Sequence, residues 1–198
     1  MKAWKHFRTI TKHRHLVIRN ASHMGIFFFA LHHDLSKYHP KEFFPSAHYY
    51  AGSHSPVDSQ RQAENYFSSV CQHHTKRNPH HWEYWTDFYK GYLLVKTMPY
   101  KWACEYVCDT LSASKVYGGD KFTPRSTLDY FNNHCVWYYM TKATEEFVRW
   151  CLTQYAESAW THLKKKETRA KYEEITKKYP DVEVLSALHP HGDLPIGK

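Results

Sequence analysis

An apolar run from Ile26 to Leu31 leads directly into His32, His33 and Asp34, and this junction limits the fold of the chain more than any other stretch. It places an imidazole and a carboxylate at the inner end of a segment that we expect to be buried. A carboxylate without a partner in apolar surroundings is destabilised by roughly several kcal/mol, so a buried Asp34 needs a cation, and a metal ion is one candidate. In the alternative interpretation, His33 and Asp34 lie at an exposed helix end and the carboxylate leaves the core.

The composition predicts one soluble, cytoplasmic domain. The chain has 198 residues, of which 42% are apolar, and this is enough for one sizeable core. No apolar run reaches the length of a membrane helix, and the basic N-terminus is not followed by a signal-peptide core, so we expect no membrane segment. The five cysteines are odd in number and form no Cys-x-x-Cys pair, which argues against a disulfide framework and a thiolate zinc site.

The charge distribution favours anionic partners. The formal net charge is +8, and no acidic residue precedes Asp34, whereas six basic residues do: Lys2, Lys5, Arg8, Lys12, Arg14 and Arg19. Such a field attracts a phosphorylated small molecule and nucleic acid alike. Most of the 17 histidines fall within residues 13–33 and 73–81, and this clustering is a second indication of metal binding.

Apolar periodicity and the positions of Gly and Pro predict an all-α fold. The predicted helices cover residues 3–19, 23–36, 40–50, 59–74, 99–117, 124–134 and 141–179, and residues 86–98 fit either a helix or an extended segment. In the last helix we expect an inward face formed by Phe147, Cys151, Tyr155 and Ala159. Alternating charges over residues 164–178 are typical of a solvated helix, and residues 180–198 are expected to form a tail in which His189 and His191 have no assigned function.

A break near residues 20–25 decides which upstream histidine can meet His33. On one unbroken helix, His13 and His33 would be about 30 Å apart, too far to share an ion. If the chain folds back at this break, they lie about 10 and 12 Å from the turn, and those distances match. His13 is therefore the favoured partner. His15 fits less well and His23 lies in the turn itself, but both stay open as alternatives.

Asp109 is the second carboxylate that the pattern places inside the protein. At 100° per residue it falls at the centre of an apolar stripe formed by Trp102, Tyr106, Ala113 and Val116. A buried structural Asp would need several hydrogen bonds, whereas a metal ligand explains the position directly. We favour the ligand and keep the structural Asp as the alternative.

Two histidine pairs, His73-His74 and His80-His81, flank the basic turn formed by residues 75–79. They could line a second metal site or a phosphate pocket. The alternative is a surface turn that happens to be rich in polar and aromatic residues.

Three stretches together resemble the HD-domain superfamily of metal-dependent phosphohydrolases. They are His13-Arg14-His15-Leu16-Val17, Leu31 to Lys37 with its His-Asp-Leu-Ser-Lys motif, and Cys108-Asp109-Thr110-Leu111. With the His73 to His81 region and Glu83-Tyr84-Trp85, the chain is especially similar to a group of small HD-like proteins without assigned function. The resemblance covers roughly residues 5–135. It implies one HD-like helical bundle over residues 1–140, on which a C-terminal helix and tail, residues 141–198, pack.

The same resemblance implies a divalent transition metal, one or two ions of Mn, Fe, Co, Ni or Zn. The implied ligands are His13, His33, Asp34 and Asp109, with His73, His74, His80 and His81 as candidates for a second ion.

The favoured function is hydrolysis of a small phosphorylated substrate, with a nucleotide as the first choice. Asp34, Lys37 and Arg77 are the candidate catalytic residues. Lys76 could attract the phosphate, and Trp82, Tyr84 or Trp85 could stack on a base. Two alternatives stay open: an HD-type di-iron oxygenase, and a non-enzymatic helical protein that binds nucleic acid through its basic N-terminal helix and exposed aromatic residues.

Overall fold

The fold is mainly helical, as the sequence predicted. The computed structural model describes residues 2–185, and helices account for 66% of the residues. Within the described residues there are nine α-helices and one small sheet. The helices are α1 (Lys2–His23), α2 (Phe27–Ala30), α3 (Pro40–Tyr49), α4 (Pro56–Ala63), α5 (Ser69–Thr75), α6 (Tyr100–Gly118), α7 (Ser126–His134), α8 (Lys142–Ser158) and α9 (Lys165–Thr176). His189 and His191 lie outside the described residues.

Helices α1 and α6 pack against each other along their lengths at the centre of the molecule. The buried residues of α1 recur every three or four positions, which is the spacing of one helix face: His6, Ile10, His13, Val17 and Ala21. The polar members of this face, His6 and His13, are therefore directed into the protein by the same periodicity that buries its apolar members.

The chain reverses after α1 at Met24 and Gly25. Gly25 has a φ of +68°, a backbone conformation that residues with a Cβ rarely adopt. A Cβ at this position would also lie 2.8 Å from Cβ of Lys165 on α9. The single helix predicted for residues 23–36 is wrong. Helix α2 ends after one turn at Ala30, and a 3-10 turn from Leu35 to Tyr38 follows. The reversal brings the His33-Asp34 segment back alongside α1.

The core joins α6 to α8 and α9 through Phe147, Cys151, Leu152 and Ile175, which are almost completely buried. On α6 the apolar core face is formed by Ala103, Cys104, Val107, Cys108 and Leu111. The predicted stripe of Trp102, Tyr106, Ala113 and Val116 is off-centre, because only Tyr106 among them is fully buried. Asp109 lies beside the core face, on the side of α6 that faces the histidines.

Two predicted helices are interrupted. Asn65 and Tyr66 have φ values of +49° and +66°, so residues 59–74 form the end of α4, a turn and α5. Ala159 has a φ of +52° and is exposed, so it ends α8 instead of facing the core, and the helix predicted for residues 141–179 is divided into α8 and α9. As expected, α9 is largely solvated, with Thr168 and Ile175 as its buried residues.

The sheet was not predicted. Strands β1 (Thr86–Tyr89) and β2 (Tyr92–Lys96) form an antiparallel hairpin, and β3 (Val182–Leu185) pairs with the other edge of β2. Lys90 and Gly91 both have positive φ, as a tight two-residue hairpin turn requires. The sequence predicted a tail over residues 180–198. That prediction is wrong for residues 182–185, which form a strand. In the part of the chain that the structure describes, no helix has the length and apolar character needed to cross a membrane.

Candidate metal centre

Asp34 lies at the centre of a buried cluster of histidines and carboxylates. Adjacent residues on an α-helix point about 100° apart, so a helical His33-Asp34 pair would not converge on one point. Asp34 instead has a φ of 53°, in the left-handed region that Asp tolerates better than most residues. This conformation turns its carboxylate into the protein, where it is 2% exposed, and directs its two oxygens toward two different groups of side chains.

The first group consists of His13, His33, Asp34 and Asp109, whose potential ligand atoms all lie within 4.8 Å of one another. Nε2 of His13 is 2.8 Å from Oδ1 of Asp109, and Nε2 of His33 is 3.2 Å from Oδ2 of Asp34. The two Nε2 atoms are 3.4 Å apart. The fold-back therefore brings His13 and His33 together, as the distances along the chain had suggested. His15 is exposed on the outer face of α1, and His23 stacks on Trp160 away from the cluster.

The second group consists of Asp34, His74, His80 and His81, again within 4.8 Å of one another. Oδ1 of Asp34 is 3.2 Å from Nε2 of His74 and 3.3 Å from Nε2 of His80. These three atoms and Nε2 of His81 are buried, and none has a hydrogen-bond partner among the described residues. Nε2 of His74 and Nε2 of His80 share one oxygen of Asp34, and Nε2 of His81 has no facing carboxylate, so this donor set leaves lone pairs that a metal ion would satisfy.

His73 does not join the second group, although its neighbour His74 does. The two residues are adjacent on α5, so their side chains diverge, and Nδ1 of His73 lies 2.7 Å from Oε1 of Glu42. His80 and His81 follow α5 in a non-helical loop, which lets both rings face the cluster.

Two buried carboxylates that the sequence analysis missed hold the ligand histidines in place. Oε1 of Glu105 is 2.8 Å from Nδ1 of His33 and 3.6 Å from Nδ1 of His80, and Oε2 of Glu42 is 3.0 Å from Nδ1 of His74. A carboxylate on the second ring nitrogen orients a ligand imidazole and raises its basicity. The signal for Glu105 was its position one helical turn before Asp109, and the signal for Glu42 was a carboxylate next to Phe43 and Phe44.

Mutual pairing determines the charges of the first group. Burial opposes ionisation of Asp109, but the hydrogen bonds from His13 and His33 outweigh it and hold the pKa of Asp109 well below its ordinary value. Burial likewise opposes protonation of His33, yet Asp34 and Asp109 raise the pKa of His33 well above its ordinary value. Burial lowers the pKa of His13, despite its hydrogen bond to Asp109. Without a metal, the first group therefore consists of His33 paired with Asp34 and Asp109, and of a neutral His13 hydrogen-bonded to Asp109.

The histidines of the second group differ from one another. Burial opposes protonation of His74, but Asp34 and Glu42 raise the pKa of His74 above its ordinary value, whereas His81 has the opposite tendency. Burial, with the neighbouring His80 and His74, lowers the pKa of His81 well below its ordinary value, so the ring stays neutral. A neutral imidazole keeps the lone pair that a metal requires.

Of the basic and aromatic residues that the sequence singled out, one lies at the candidate centre and the others lie elsewhere. Nζ of Lys37 contacts Oδ2 of Asp34, so this residue is at the centre. Arg77 donates to the carbonyl of His73 and lines a separate cavity of about 260 Å³ behind His33 and His80, while Lys76 is exposed. Trp82 packs on Tyr138, and the Trp85 indole donates to the carbonyl of Pro79. The remaining candidate stacking residue, Tyr84, is half exposed and packs edge-on against Trp85.

A cavity of about 320 Å³ opens onto both ligand groups. Its wall includes His13, Asp109, His74 and His81 together with Lys37. None of Trp82, Tyr84 and Trp85 lines it, and the aromatic residues that do are Tyr117 and Tyr130. Arg61, which the sequence analysis did not single out, also lines this cavity and donates to Sγ of Cys71.

Comparison with models of known protein families assigns the chain to a family. A model described as a family of unknown function, DUF5662, matches residues 2–178. The chain belongs to the DUF5662 family. No curated protein and no solved structure matches it. For this DUF5662 protein the match extends from the first described residue through α9, so it includes every member of both ligand groups. The resemblance to the HD-domain superfamily stays a prediction.

Proposed function

We propose that this protein hydrolyses a phosphate ester at a centre of two divalent transition-metal ions. The observation that carries the proposal is the position of Asp34 between the two groups. Its Oδ2 faces His33 of the first group, and its Oδ1 faces the unpartnered nitrogens of His74 and His80 in the second. A carboxylate with one oxygen toward each of two donor sets suits a shared ligand of two ions.

The donor atoms limit the choice of metal. His13, His33, Asp34 and Asp109 would hold one ion, and Asp34, His74, His80 and His81 the other. Imidazole nitrogens mixed with carboxylate oxygens suit Mn, Fe, Co, Ni or Zn. When bound, such ions lower the pKa of water and polarise a phosphoryl oxygen.

The charges along the cavity explain why a phosphate would need those ions. Two cationic side chains, Lys37 and Arg61, line the cavity together with four carboxylates: Glu42, Asp58, Glu83 and Asp109. The protein alone therefore gives an anion little net attraction there. Lys37, held against Asp34, would neutralise charge that develops on the phosphoryl group in the transition state.

The test combines metal analysis with phosphate release. Purified protein is expected to contain transition metal after dialysis, and to release phosphate from at least one nucleoside phosphate or sugar phosphate when Mn, Co, Ni, Mg or Zn is added. Asp34→Asn is the matched inactive variant, because Asn tolerates the left-handed backbone at this position. Protein without metal, or activity that persists in Asp34→Asn, would contradict the proposal.

The five imidazoles of the two groups favour a second candidate, oxygenation at a di-iron centre, because histidine and carboxylate ligands also suit iron. Iron as the bound metal, oxygen consumption with an organic substrate and silence across the phosphate panel would favour this chemistry over hydrolysis.

A non-enzymatic function in nucleic-acid binding depends on another surface, the outer face of α1. Lys5, Arg8, Lys12 and Arg19 line an open groove there together with Phe7 and Tyr50. Phosphate contacts by such residues weaken as salt is added. Salt-dependent binding of RNA or DNA that survives chelation of the metals would support this function and would be independent of the cavity.

A further inference from the structure

The end of the cavity opposite the ligands contains a buried histidine that the proposed reaction does not use. His6 lines the cavity and is only 4% exposed. Its Nδ1 is buried and has no hydrogen-bond partner among residues 2–185, and its ring packs at 5.4 Å from Phe43 and 5.5 Å from Tyr50. An unpartnered polar atom in such a position is uncommon and calls for an explanation.

His6 and the metal ligands mark two ends of one cavity. His6 and His13 lie on the same face of α1, seven residues apart, which is roughly 10 Å along the helix. Ser46, which also lines the cavity, lies one turn beyond Glu42 on α3. On α1 a proposed ligand, His13, lies at the metal end and His6 farther along, and on α3 Glu42 lies at the metal end and the uncharged Ser46 farther along.

The wall also includes an apolar part. Ile10 lies between His6 and His13 on α1, and Val57, Val70 and Ala113 line the cavity from three other helices. The volume of about 320 Å³ is at the lower limit of pockets that hold small ligands, roughly 300–1,000 Å³. The cavity therefore suits a compact molecule with an apolar body, and not a polymer.

The imidazole of His6 is uncharged near neutral pH. Burial, and next the positive charge of Lys37, lower the pKa of His6 to about 4. A neutral imidazole offers one hydrogen-bond donor and one acceptor. It therefore suits an uncharged polar group of a ligand better than a second phosphate.

We propose that His6 binds the far end of the substrate, and that the substrate is a compact phosphate monoester whose far end carries an uncharged hydrogen-bonding edge. A nucleoside monophosphate has this design, with its base at His6 and its phosphate beside Lys37. The inference rests on the proposed function for the position of the phosphate. A triphosphate tail suits the cavity poorly, because Lys37 and Arg61 are the cationic side chains of its wall.

The experiment measures binding instead of turnover, so that it does not depend on hydrolysis. Metal-loaded protein is titrated in a calorimeter with inorganic phosphate and with analogues of the 5′-monophosphates of adenosine, guanosine, cytidine and uridine in which a CH₂ group replaces the ester oxygen, so that no ester bond can be hydrolysed. The variants are His6→Leu, His6→Gln and, as a matched control on the exposed face of the same helix, His15→Leu.

We expect the wild type and His15→Leu to bind at least one nucleoside monophosphate tenfold or more tightly than phosphate. His6→Leu should lose roughly tenfold of that affinity, as the loss of a buried hydrogen bond implies, while phosphate binding and metal content stay unchanged. His6→Gln should recover part of the affinity, because it keeps a donor and an acceptor.

Three outcomes would overturn the inference: no nucleoside monophosphate binds better than phosphate, His6→Leu binds as the wild type does, or His6→Leu weakens phosphate equally. Failure of the proposed function has a different signature. Binding that depends on His6 without any phosphate release would support the recognition site and remove the hydrolysis.

Discussion

The two ligand groups share Asp34 but differ in how their polar atoms are satisfied. In the group of His13, His33, Asp34 and Asp109, each histidine already contacts a carboxylate at 2.8 to 3.2 Å. In the group of Asp34, His74, His80 and His81, the Nε2 atoms and the facing oxygen lack hydrogen-bond partners. The first group is held without metal by a short hydrogen bond and charged pairs, whereas the second divides Oδ1 of Asp34 between His74 and His80 and leaves Nε2 of His81 without a partner among the described residues, so it has more to gain from an added cation.

This difference changes how each group affects the stability of the metal-free protein and its affinity for metal. Internal pairing stabilises the metal-free fold and competes with metal binding. Buried nitrogen and oxygen atoms whose lone pairs have no partner destabilise the metal-free fold and favour metal binding. We therefore expect the second group to gain more from an ion than the first, and the following experiments test that asymmetry.

The largest expected effect is at the shared residue. Asp34→Asn should abolish stable metal binding at both groups. It should also lower the rate of phosphate release by about three orders of magnitude, because loss of a metal removes several kcal/mol of transition-state stabilisation. Elemental analysis and a phosphate assay measure the two effects. Retention of one full equivalent of metal would show that the groups do not depend on a common ligand.

The metal-free stability of two histidine variants should differ strongly. His13→Leu leaves the carboxylate of Asp109 without its closest hydrogen-bond partner and should lower the free energy of unfolding by about 2 to 3 kcal/mol. His80→Leu removes an imidazole whose Nε2 is unsatisfied and should change it by about 1 kcal/mol or less.

Urea unfolding of chelator-treated protein measures both values, with exposed His15→Leu as the control near zero. Equal losses for His13→Leu and His80→Leu would remove the proposed asymmetry. In metal-loaded protein, His13→Ala should weaken metal binding far more than His15→Ala.

The carboxylates behind the ligands should produce intermediate effects. Glu105 contacts histidines of both groups, so Glu105→Gln should weaken both metal sites by roughly 10- to 100-fold. Glu42 contacts His74 only among the ligands, so Glu42→Gln should weaken the second site and spare the first. Competition with a chelator of known affinity separates the two patterns.

The last expected effect, similar in size to those of the carboxylate variants, concerns pH and a histidine outside both groups. The pKa of His6 is lowered to about 4, from an ordinary value of 6.5. Between these values the unfolded chain binds a proton that the folded chain does not, so this contribution to stability is complete above pH 6.5 and decreases as the pH falls toward 4.

The decrease should amount to about 1 to 3 kcal/mol. His6→Leu should flatten the pH profile of unfolding by that amount in metal-free protein. A profile that is unchanged between wild type and His6→Leu would show that the imidazole is protonated with little penalty in the folded state.

Periodicity predicted the helices whose apolar face is continuous, such as α1. The break predicted near residues 20–25 from its turn-forming residues contains the turn that brings His13 to His33, but α1 continues to His23 instead of ending at residue 19. It failed where single residues leave helical conformation. Asp34, Asn65, Tyr66 and Ala159 have positive φ, and no local pattern distinguishes them from residues that continue a helix. The hairpin of β1 and β2 lies within residues 86–98, for which the sequence left a helix and an extended segment open, because most of β1 is exposed and lacks a clear alternation.

For the candidate site, residue type and spacing indicated His13, His33, Asp34 and Asp109, which the structure brings together. Sequence alone could not separate His73 from His74, because the choice depends on which ring faces Asp34 once α5 is packed. Glu42 and Glu105 were missed for a related reason. Their role is to hold another side chain, and a sequence contains no direct record of such contacts across the fold.

At Gly25, the turn that precedes the proposed metal ligands His33 and Asp34 packs against Lys165, near the C-terminal end of the described chain. A side chain at this position would combine a strained backbone with a Cβ only 2.8 Å from Lys165. Helix α9 thus forms a wall behind the turn from which His33 and Asp34 return to α1. The ligands lie between residues 13 and 109, yet α9 is synthesised last among the helices of residues 2–185. We therefore expect a nascent chain to complete this centre only after α9 has emerged, so that acquisition of metal would report on a finished chain.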